Sequence, residues 1–263
     1  MSRTVTLAGI VYGCESLADC TWHELQRGLD PENTRLSQDL DIHPSACVHF
    51  VRNKSGLLAM LVMDTQRRAC DIVFCGTADV RDIVMNMRVW KTVLPLTQHY
   101  GDAYVHSGFL RQLTADGAMD RIVELLNDAT AQDWRFTVCG HSLGGALALL
   151  CAVLLTSRLY TVRKLEVVTY GAPRVGNVEF ALLLDSLHIQ CTQIMHRQDP
   201  VPHVPKYGYA HAGNLVWLPQ AQPVPPPEDM HYSTIFTKTV SLSAAFHSIG
   251  NYRSEMSAAV SKL

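Results

Sequence analysis

Short runs of apolar residues recur along the chain, and the first of them have the length and composition of β-strands. The runs over residues 46–51, 57–62 and 69–75 are rich in Val, Leu, Ile and Phe, which suit a pleated, half-buried backbone. Polar residues 53–56, ending in a glycine, separate the first two runs. The pattern predicts a helix over residues 20–29, then a β-hairpin and a third strand.

From residue 75 onward, stretches with helical spacing alternate with further strand-like runs. Apolar residues three and four positions apart predict helices over residues 79–94, 108–127, 178–187 and 248–262, and another directly after residue 144. Strands are predicted up to Cys139 and over residues 165–170 and 191–196. This alternation is typical of a mainly parallel sheet with helices on both faces, so we expect one α/β domain over residues 1–263.

The composition supports a compact globular domain and argues against two classes of protein. Of the 263 residues, 48% are hydrophobic, and the formal net charge is only −2 with no block of like charges. A basic footprint for nucleic acid is missing, so no nucleic-acid partner is expected. The longest apolar run, residues 146–155, is shorter than the roughly 20 residues that a membrane-spanning helix needs. We therefore expect no transmembrane segment and interpret this run as a buried core helix.

Eight cysteines are scattered through the chain without a C-x-x-C pair. Several fall inside apolar runs, where a reduced thiol packs as a small hydrophobic side chain. Their spacing does not predict a metal site. The first ten residues also lack the apolar core of a signal peptide. The sequence thus predicts a reducing, cytoplasmic location, with secretion as the alternative, and no metal.

The segment most indicative of chemistry is Gly140-His141-Ser142-Leu143-Gly144, which joins a predicted strand to a predicted helix. A serine on such a sharp turn projects its hydroxyl from the carboxyl edge of a sheet, and the flanking glycines remove Cβ atoms that would collide there. The same pattern also occurs as a glycine-rich turn without chemistry. A nucleophilic Ser142 requires an acid, and after it a histidine, later in the chain.

Asp199 is the best candidate for the acid. It follows the predicted strand 191–196 and begins Asp199-Pro200-Val201-Pro202, where proline restricts a loop at the carboxyl end of a strand. Asp185 lies within a helical pattern and Asp229 within a proline-rich stretch. Both are therefore expected to be solvated surface carboxylates.

Among the twelve histidines, His247 is the best candidate for the base. It lies downstream of Asp199 and directly before the predicted terminal helix, where a loop can bring an imidazole back over the sheet. His141, beside the serine, is expected to point away across the turn and to serve in packing or hydrogen bonding. The other candidate bases are His203, His211 and His231.

Stabilising negative charge on a substrate oxygen requires hydrogen-bond donors near Ser142. One is the backbone N–H of Leu143, because the amino end of a helix presents N–H groups without helical acceptors. The second is expected from the loop after an earlier strand, where Thr77 follows Phe74-Cys75-Gly76.

Together, these residues resemble the class 3 lipase family, which includes the filamentous-fungal triacylglycerol lipases. The resemblance runs from about residue 72 to residue 252 and rests on several motifs in family order. They are Phe74-Cys75-Gly76-Thr77, Val105-His106-Ser107-Gly108-Phe109, Gly140-His141-Ser142-Leu143-Gly144-Gly145, Tyr170-Gly171-Ala172-Pro173-Arg174-Val175-Gly176-Asn177, Asp199-Pro200-Val201-Pro202 and His247-Ser248-Ile249. The resemblance implies an α/β-hydrolase fold, a triad of Ser142, Asp199 and His247, and an oxyanion hole of Thr77 and Leu143.

The resemblance also implies an acyl groove and a lid. Val201 corresponds to a position that lines the groove, and segment 79–94 to a helical lid that would cover the site in water and meet lipid when open. The apolar side chains of the lid are Val80, Ile83, Val84, Met87 and Trp90. Two features depart from the family: it usually has arginine where Cys75 stands, and the cysteines give no sign of the disulfides of secreted fungal members.

The chemistry predicted from these residues is hydrolysis of carboxylic esters by a lipase or esterase, through an acyl-enzyme on Ser142. His247 is the general base and then the general acid, Asp199 orients it, and no cofactor is required. The expected partner is an ester or lipid substrate, met at a lipid–water interface if the lid opens there. One alternative is a phospholipase A1 or feruloyl-type aryl esterase, since one fold serves many esters, and another is a catalytically silent hydrolase-like binding domain.

Overall fold

The computed structural model describes residues 3–77, 90–96, 102–130, 134–159, 164–218, 222–223 and 245–260. The strands within these ranges are β1 (Cys20–Thr21), β2 (Cys47–Arg52), β3 (Leu58–Asp64), β4 (Ala69–Phe74), β5 (Lys91–Val93), β6 (Tyr104–His106), β7 (Arg135–His141), β8 (Leu165–Tyr170), β9 (Gln190–His196), β10 (Asn214–Leu218) and β11 (Gln222–Pro223). The helices are α1 (Arg3–Ile10), α2 (Trp22–Gly28), α3 (Pro31–Gln38), α4 (Ser107–Thr114), α5 (Ala118–Thr130), α6 (Leu143–Arg158), α7 (Val178–Ser186) and α8 (Ile249–Val260).

The main sheet has the strand order β1-β2-β3-β4-β7-β8-β9-β10-β11, and β5 and β6 form a separate two-stranded sheet. Neighbouring strands from β4 to β10 run parallel, whereas the pairs at both edges are antiparallel. The predicted parallel sheet flanked by helices is thus confirmed at its centre. The carboxyl ends of β4, β7, β8 and β9 meet at one edge, which is where such sheets place functional groups.

Both faces of the sheet are covered, so alternate residues of a strand enter different apolar layers. On β7, Phe136 and Val138 pack in the layer that contains α4 to α7, whereas Cys139 packs in the layer that contains α1, α2 and α8. Burial on both faces explains why the central strands read as nearly continuous apolar runs. No helix in the described ranges is both long enough and apolar enough to cross a membrane.

The hydrophobic pattern does not predict α1, although this helix is buried from Thr4 to Ile10. Threonine, valine and Gly9 all have low helix propensity, which hides the helix from a sequence-based assignment. The helix packs between β7 and α8. Its burial against the rest of the molecule therefore outweighs the propensity of its residues.

The helix predicted over residues 108–127 is two helices, α4 and α5. A 3-10 turn at Ala115–Gly117 separates them, and Asp116 there has a φ of 53°. A residue in the left-handed region cannot continue a right-handed α-helix. The apolar spacing is similar on both sides of the break, so the pattern alone does not reveal it.

The helix predicted over residues 79–94 is wrong for its last part, because Lys91–Val93 is strand β5. This strand pairs antiparallel with β6, placing Lys91 opposite His106 and Val93 opposite Tyr104. The β-branched residues of β5 favour that pairing over a helix. Most of the candidate lid lies outside the described residues, including Val80, Ile83, Val84 and Met87.

Candidate active site

The turn between β7 and α6 holds Ser142 in a strained conformation. Its φ of 59° and ψ of −129° lie outside the regions that residues with a Cβ normally occupy. The Ser142 N–H donates to the carbonyl oxygen of Tyr170 at 2.8 Å, and the Ser142 carbonyl oxygen accepts from the Gly145 N–H at 2.9 Å. Hydrogen bonds on both sides fix the turn, and the serine is fully buried.

Two glycines make this turn possible, because here the backbone passes too close to itself for a side chain. A Cβ added at Gly140 would lie 2.4 Å from the carbonyl carbon of Gly144, and one added at Gly144 would lie 2.2 Å from the carbonyl oxygen of Phe74. Both distances are well inside van der Waals contact. The elbow is therefore packed directly against the end of β4.

Asp199 and His247 contact each other at the carboxyl edge of the sheet. Asp199 follows β9, and His247 ends the 3-10 turn Ala245–His247 before α8. The Nδ1 atom of His247 lies 2.8 Å from Oδ2 of Asp199, and both side chains are buried. Since a carboxylate only accepts, the tautomer of a neutral ring that fits this contact carries its proton on Nδ1 and a lone pair on Nε2. The pair thus presents a basic nitrogen on the side away from the carboxylate.

Two further hydrogen bonds hold the Asp199 carboxylate. The hydroxyl of Tyr252 on α8 donates to Oδ2 at 2.6 Å and accepts from the backbone N–H of His196 at 3.0 Å. The backbone N–H of Val201 donates to Oδ1 at 2.9 Å. Burial, followed by the neighbouring Asp199, raises the pKa of Tyr252 well above its usual value, so the phenol keeps its proton. The orientation of the carboxylate is therefore fixed on both oxygens.

Ser142 Oγ and His247 Nε2 are buried without a hydrogen-bond partner among the described residues. Leaving a buried polar atom unpaired costs about 1–3 kcal/mol, so each such atom in a native structure calls for a reason. Ser142 and His247 are near neighbours. The centroid of the His247 ring lies 4.6 Å from that of His141, the residue directly before Ser142. A hydroxyl and a basic nitrogen are the atoms that base-assisted nucleophilic attack needs, and their hydrogen bond is often long before substrate binds.

Of the two predicted oxyanion donors, Leu143 belongs to the elbow itself and Thr77 to a loop beside it. Leu143 is the first residue of α6, so its N–H has no acceptor within the helix. Thr77 is half-buried and follows Gly76, where an added Cβ would lie 3.2 Å from the Cβ of Ser142. The loop that carries Thr77 is therefore in contact with the turn that holds Ser142.

Two of the residues predicted to meet substrate are described. Val201 lies in the 3-10 turn Val201–His203 directly after the Asp199 loop and is fully buried. Trp90, just before β5, is 72% exposed, so it makes little buried contact here. Its carbonyl oxygen accepts from the Ser107 N–H at 2.9 Å, which ties this end of the candidate lid to the start of α4.

His141 combines a confirmed prediction with a wrong one. Its hydrogen-bonding role is confirmed, since Nδ1 lies 2.9 Å from the hydroxyl of Tyr12 and Nε2 faces the carbonyl oxygen of His247. The ring does not point away from the site, because the sharp turn at Ser142 leaves the last residue of β7 packed on the His247 ring. Burial, followed by His247, lowers the pKa of His141 well below its usual value, so the ring is neutral.

The other candidate acids and bases have different surroundings. His203 stacks on the ring of Trp217, and His211 hydrogen-bonds the carbonyl oxygen of Pro202 at 2.8 Å. Burial lowers the pKa of both histidines, that of His211 to about 3. Asp185 is exposed on α7, as expected of a surface carboxylate. His231 and Asp229 lie outside the described residues.

The sequence motif around Arg174 supports the loop that carries the acid. The Arg174 guanidinium donates from one nitrogen to the carbonyl oxygens of His203 and Pro205 at 2.7 and 3.0 Å. The Arg174 N–H also donates to the carbonyl oxygen of Val204 at 2.9 Å. Sequence reasoning missed this role and that of Tyr252, because an arginine in a loop and a tyrosine in a helix give no local signal of their distant partners.

A polar cavity of about 450 Å³ lies at the opposite edge of the sheet. Its lining includes the first residues of β4, β7, β8 and β9 together with Arg3, Lys164 and His188. Ser142, Asp199 and Thr77 lie at the carboxyl ends of these strands. The cavity is therefore separate from the candidate active site.

A serine on a strand–turn–helix elbow, followed in the chain by an acid after a parallel strand and then by a histidine, defines an α/β-hydrolase. Residues 72–208 match the family model described as Lipase (class 3). The chain belongs to the class 3 lipase family.

Curated relatives are similar to this chain over part of their length. The lipase of Rhizopus oryzae is 36% identical over 156 residues, covering 56% of this chain and 38% of the relative. The secreted mono- and diacylglycerol lipase 1 of Fusarium solani is 30% identical over 170 residues, covering 64% and 49%. The chloroplastic phospholipase A(1) DAD1 of Arabidopsis thaliana is 31% identical over 152 residues, covering 53% and 34%. The chain thus spans between a third and a half of the length of these relatives.

Solved structures show the same fold. Lipase II from Rhizopus niveus superposes with a TM-score of 0.62 at 25% identity, covering 81% of this chain and 79% of that one. A fungal lipase–inhibitor complex presented as a model for interfacial activation has a TM-score of 0.61 at 26% identity, covering 81% and 77%.

Proposed function

We propose that the protein is a carboxylic ester hydrolase that works through an acyl-enzyme on Ser142. The observation that carries the proposal is the buried Asp199–His247 pair, whose imidazole ring packs on His141, the residue directly before the strained Ser142. Membership of the class 3 lipase family supports the same chemistry.

Each group has a defined part in the proposed reaction. His247 Nε2 accepts the Ser142 hydroxyl proton while Oγ attacks the ester carbonyl, and Asp199 stabilises the imidazolium that forms. The N–H groups of Leu143 and Thr77 stabilise the oxyanion. The alcohol leaves with the proton from His247, and water, activated by the same nitrogen, then releases the acid and regenerates the hydroxyl of Ser142.

Hydrolysis of p-nitrophenyl esters with acyl chains from two to sixteen carbons tests this proposal. Ser142→Ala should lower kcat on the order of a millionfold, because the nucleophile is lost. Ser186→Ala, at the end of α7 where Oγ donates to the carbonyl oxygen of Leu183 at 2.7 Å, is the matched control and should keep the activity. A wild type as inactive as Ser142→Ala on every ester would favour the silent binding domain, and equal activity of both would exclude Ser142 as nucleophile.

The proposed natural substrate is an acylglycerol, since relatives are named as lipases and as a mono- and diacylglycerol lipase. A second candidate is the sn-1 ester of a phospholipid, favoured by the similarity to a phospholipase A1. Val201 and the lid residues would line the acyl groove in either case. Triolein emulsions and phosphatidylcholine vesicles, assayed side by side for released fatty acid, distinguish the two substrates.

Action at a lipid–water interface is proposed from the apolar residues of the candidate lid that precede strand β5. A sharp rise of activity once tributyrin exceeds its solubility is the expected result, because a lid opens only where apolar side chains can meet lipid. A smooth saturation curve through the solubility limit would contradict a lid of this kind.

Two observations bear on the compartment in which the enzyme acts. All eight cysteines lie within the described residues as free thiols, which suits the predicted reducing location. The relative from Fusarium solani is named as secreted, which supports the alternative. Esterase activity measured separately in cells and in the surrounding medium decides between them.

A further inference from the structure

Tyr12 reaches the candidate active site from the amino-terminal part of the chain. It lies in the 3-10 turn Val11–Gly13 directly after α1, before the residues 72–208 that match the family model. Its hydroxyl oxygen is 2.9 Å from Nδ1 of His141, the residue before Ser142. A side chain from outside the matched segment thus contacts His141, the residue next to Ser142.

The direction of this hydrogen bond follows from the other side of the His141 ring. Nε2 of His141 faces the carbonyl oxygen of His247, which can only accept, so Nε2 carries the proton. The buried ring is neutral, and Nδ1 must therefore be an acceptor. The Tyr12 hydroxyl is then the donor. A single tautomer of His141 thus satisfies both the Tyr12 hydroxyl and the His247 carbonyl oxygen, which makes the arrangement rigid.

The same hydroxyl also contacts the loop before Thr77. A Cβ added at Gly76 would lie 2.4 Å from the Tyr12 oxygen and 2.5 Å from the carbonyl oxygen of His141. Burial raises the pKa of Tyr12 above its usual value, against the smaller opposing effect of a hydrogen bond from the Gly76 backbone, so the phenol is protonated. The oxygen that donates to His141 is therefore also held by the oxyanion loop.

We propose that Tyr12 is a positioning residue which, through His141, fixes the distance between the oxyanion loop at Gly76, the elbow at Ser142 and the loop that carries His247. The inference rests on the proposed ester hydrolysis, in which these three segments must hold donors, nucleophile and base around one carbonyl. Displacements of about 1 Å in such an arrangement can lower the rate on the order of a hundredfold.

The primary test is Tyr12→Phe, which keeps the ring and removes only the hydroxyl. With p-nitrophenyl butyrate below its solubility limit, we expect kcat to fall on the order of 10- to 100-fold while KM changes less than about twofold. The matched control is Thr4→Val on α1, which removes another buried hydroxyl, bonded to Tyr170 OH at 2.7 Å. It should lower Tm by a similar amount and leave kcat near the wild-type value.

A double-mutant cycle with His141→Gln separates positioning from general weakening. A glutamine can still donate to the His247 carbonyl oxygen but offers no acceptor placed like Nδ1, so it interrupts the connection at the same point as Tyr12→Phe. The double variant should therefore lose no more kcat than the more affected single variant. Independent effects that multiply would overturn the proposal.

The outcomes also distinguish this inference from the proposed function. If Ser142→Ala abolishes an activity that Tyr12→Phe retains in full, the hydrolase assignment stands and the role of Tyr12 is rejected. Equal losses of kcat in Tyr12→Phe and Thr4→Val, following the loss in Tm, would likewise reject it. A Ser142-independent activity would instead reject the proposed function, whatever Tyr12→Phe does.

Discussion

Ser142 carries local backbone strain, because a residue with a Cβ occupies a conformation that suits glycine. Its φ of 59° is held by the hydrogen bonds of its N–H to Tyr170 and of its carbonyl oxygen to Gly145. Such strain typically amounts to about 1–3 kcal/mol and persists only where the surroundings enforce it. The turn in exchange places the hydroxyl at the sheet edge, where the ring of His247, held by Asp199, packs on the neighbouring His141.

This strain predicts an unusual order of stability among variants of Ser142. Ser142→Gly should be more stable than Ser142→Ala by about 1 kcal/mol in urea unfolding, because glycine adopts the turn without strain. At Ser254, an exposed position in the middle of α8, the order should be reversed, since glycine is about 1 kcal/mol worse than alanine inside a helix. An alanine variant at residue 142 as stable as the glycine variant would show that the turn stores no strain.

Helix α6 connects the hydrophobic core to the candidate active site, because it is buried along most of its length and begins directly after Ser142. Every residue from Gly144 to Leu155 is buried, which confirms the core helix expected from the apolar run 146–155. The helix packs on β7, β8, β4 and α4, and its first N–H groups point at the elbow. The position of Leu143 relative to Ser142 therefore depends on the packing of the whole helix.

Truncations along the helices should differ according to burial. Leu150→Ala in α6 removes a fully buried side chain and should lower the free energy of unfolding by about 2–5 kcal/mol. Leu182→Ala in α7, where the side chain is 61% exposed, should change it by less than about 0.5 kcal/mol. Urea unfolding of both variants measures the difference, and similar losses would contradict the assignment of α6 to the core.

The two ends of the described chain meet on one face of the sheet. Helices α1 and α8 pack against each other, and Arg253 of α8 forms an ion pair with Glu32 of α3. Arg3 of α1 pairs with the buried Asp71 on β4. This packing places Tyr12 and Tyr252 at the site, since Tyr12 directly follows α1 and Tyr252 lies on α8.

The molecule as a whole should become less stable as the pH falls below neutrality. Burial is the main cause that lowers the pKa of four histidines, His141, His196, His203 and His211. The unfolded chain takes up protons near the ordinary histidine pKa of about 6.5 whereas the folded protein resists them, so acid favours unfolding. Tm should therefore decrease from about pH 6.5 downward.

A pair of variants tests this origin of the pH dependence. His211→Gln removes a group whose folded pKa is about 3 and should flatten the decrease of Tm between pH 6.5 and 4.5. His23→Gln, on the exposed side of α2, is the control and should leave the slope unchanged. Asp71 acts in the opposite direction, since burial raises its pKa and the folded state binds its proton more tightly. A Tm that is constant over this range in the wild type would contradict the prediction.

The sequence by itself determined the features that depend on local physics. Strand β8 was predicted at its observed bounds, because a run of apolar residues buried on both faces has a recognisable length and composition. The elbow around Ser142 was predictable because close backbone approach admits only glycine at Gly140 and Gly144. Chain order, together with a loop position after strand 191–196 and one before the terminal helix, selected Asp199 and His247 as the candidate acid and base.

Only the tertiary structure decided what depends on residues far apart in the chain. It made a helix of Arg3–Ile10 against its propensity and a strand of Lys91–Val93 against its helical spacing, because burial and a pairing partner outweigh local preference. It also brought Tyr12 to His141 and Tyr252 to Asp199. Hydrogen bonds between distant segments leave no periodicity in a sequence, so these supports of the site became visible only once the chain was folded.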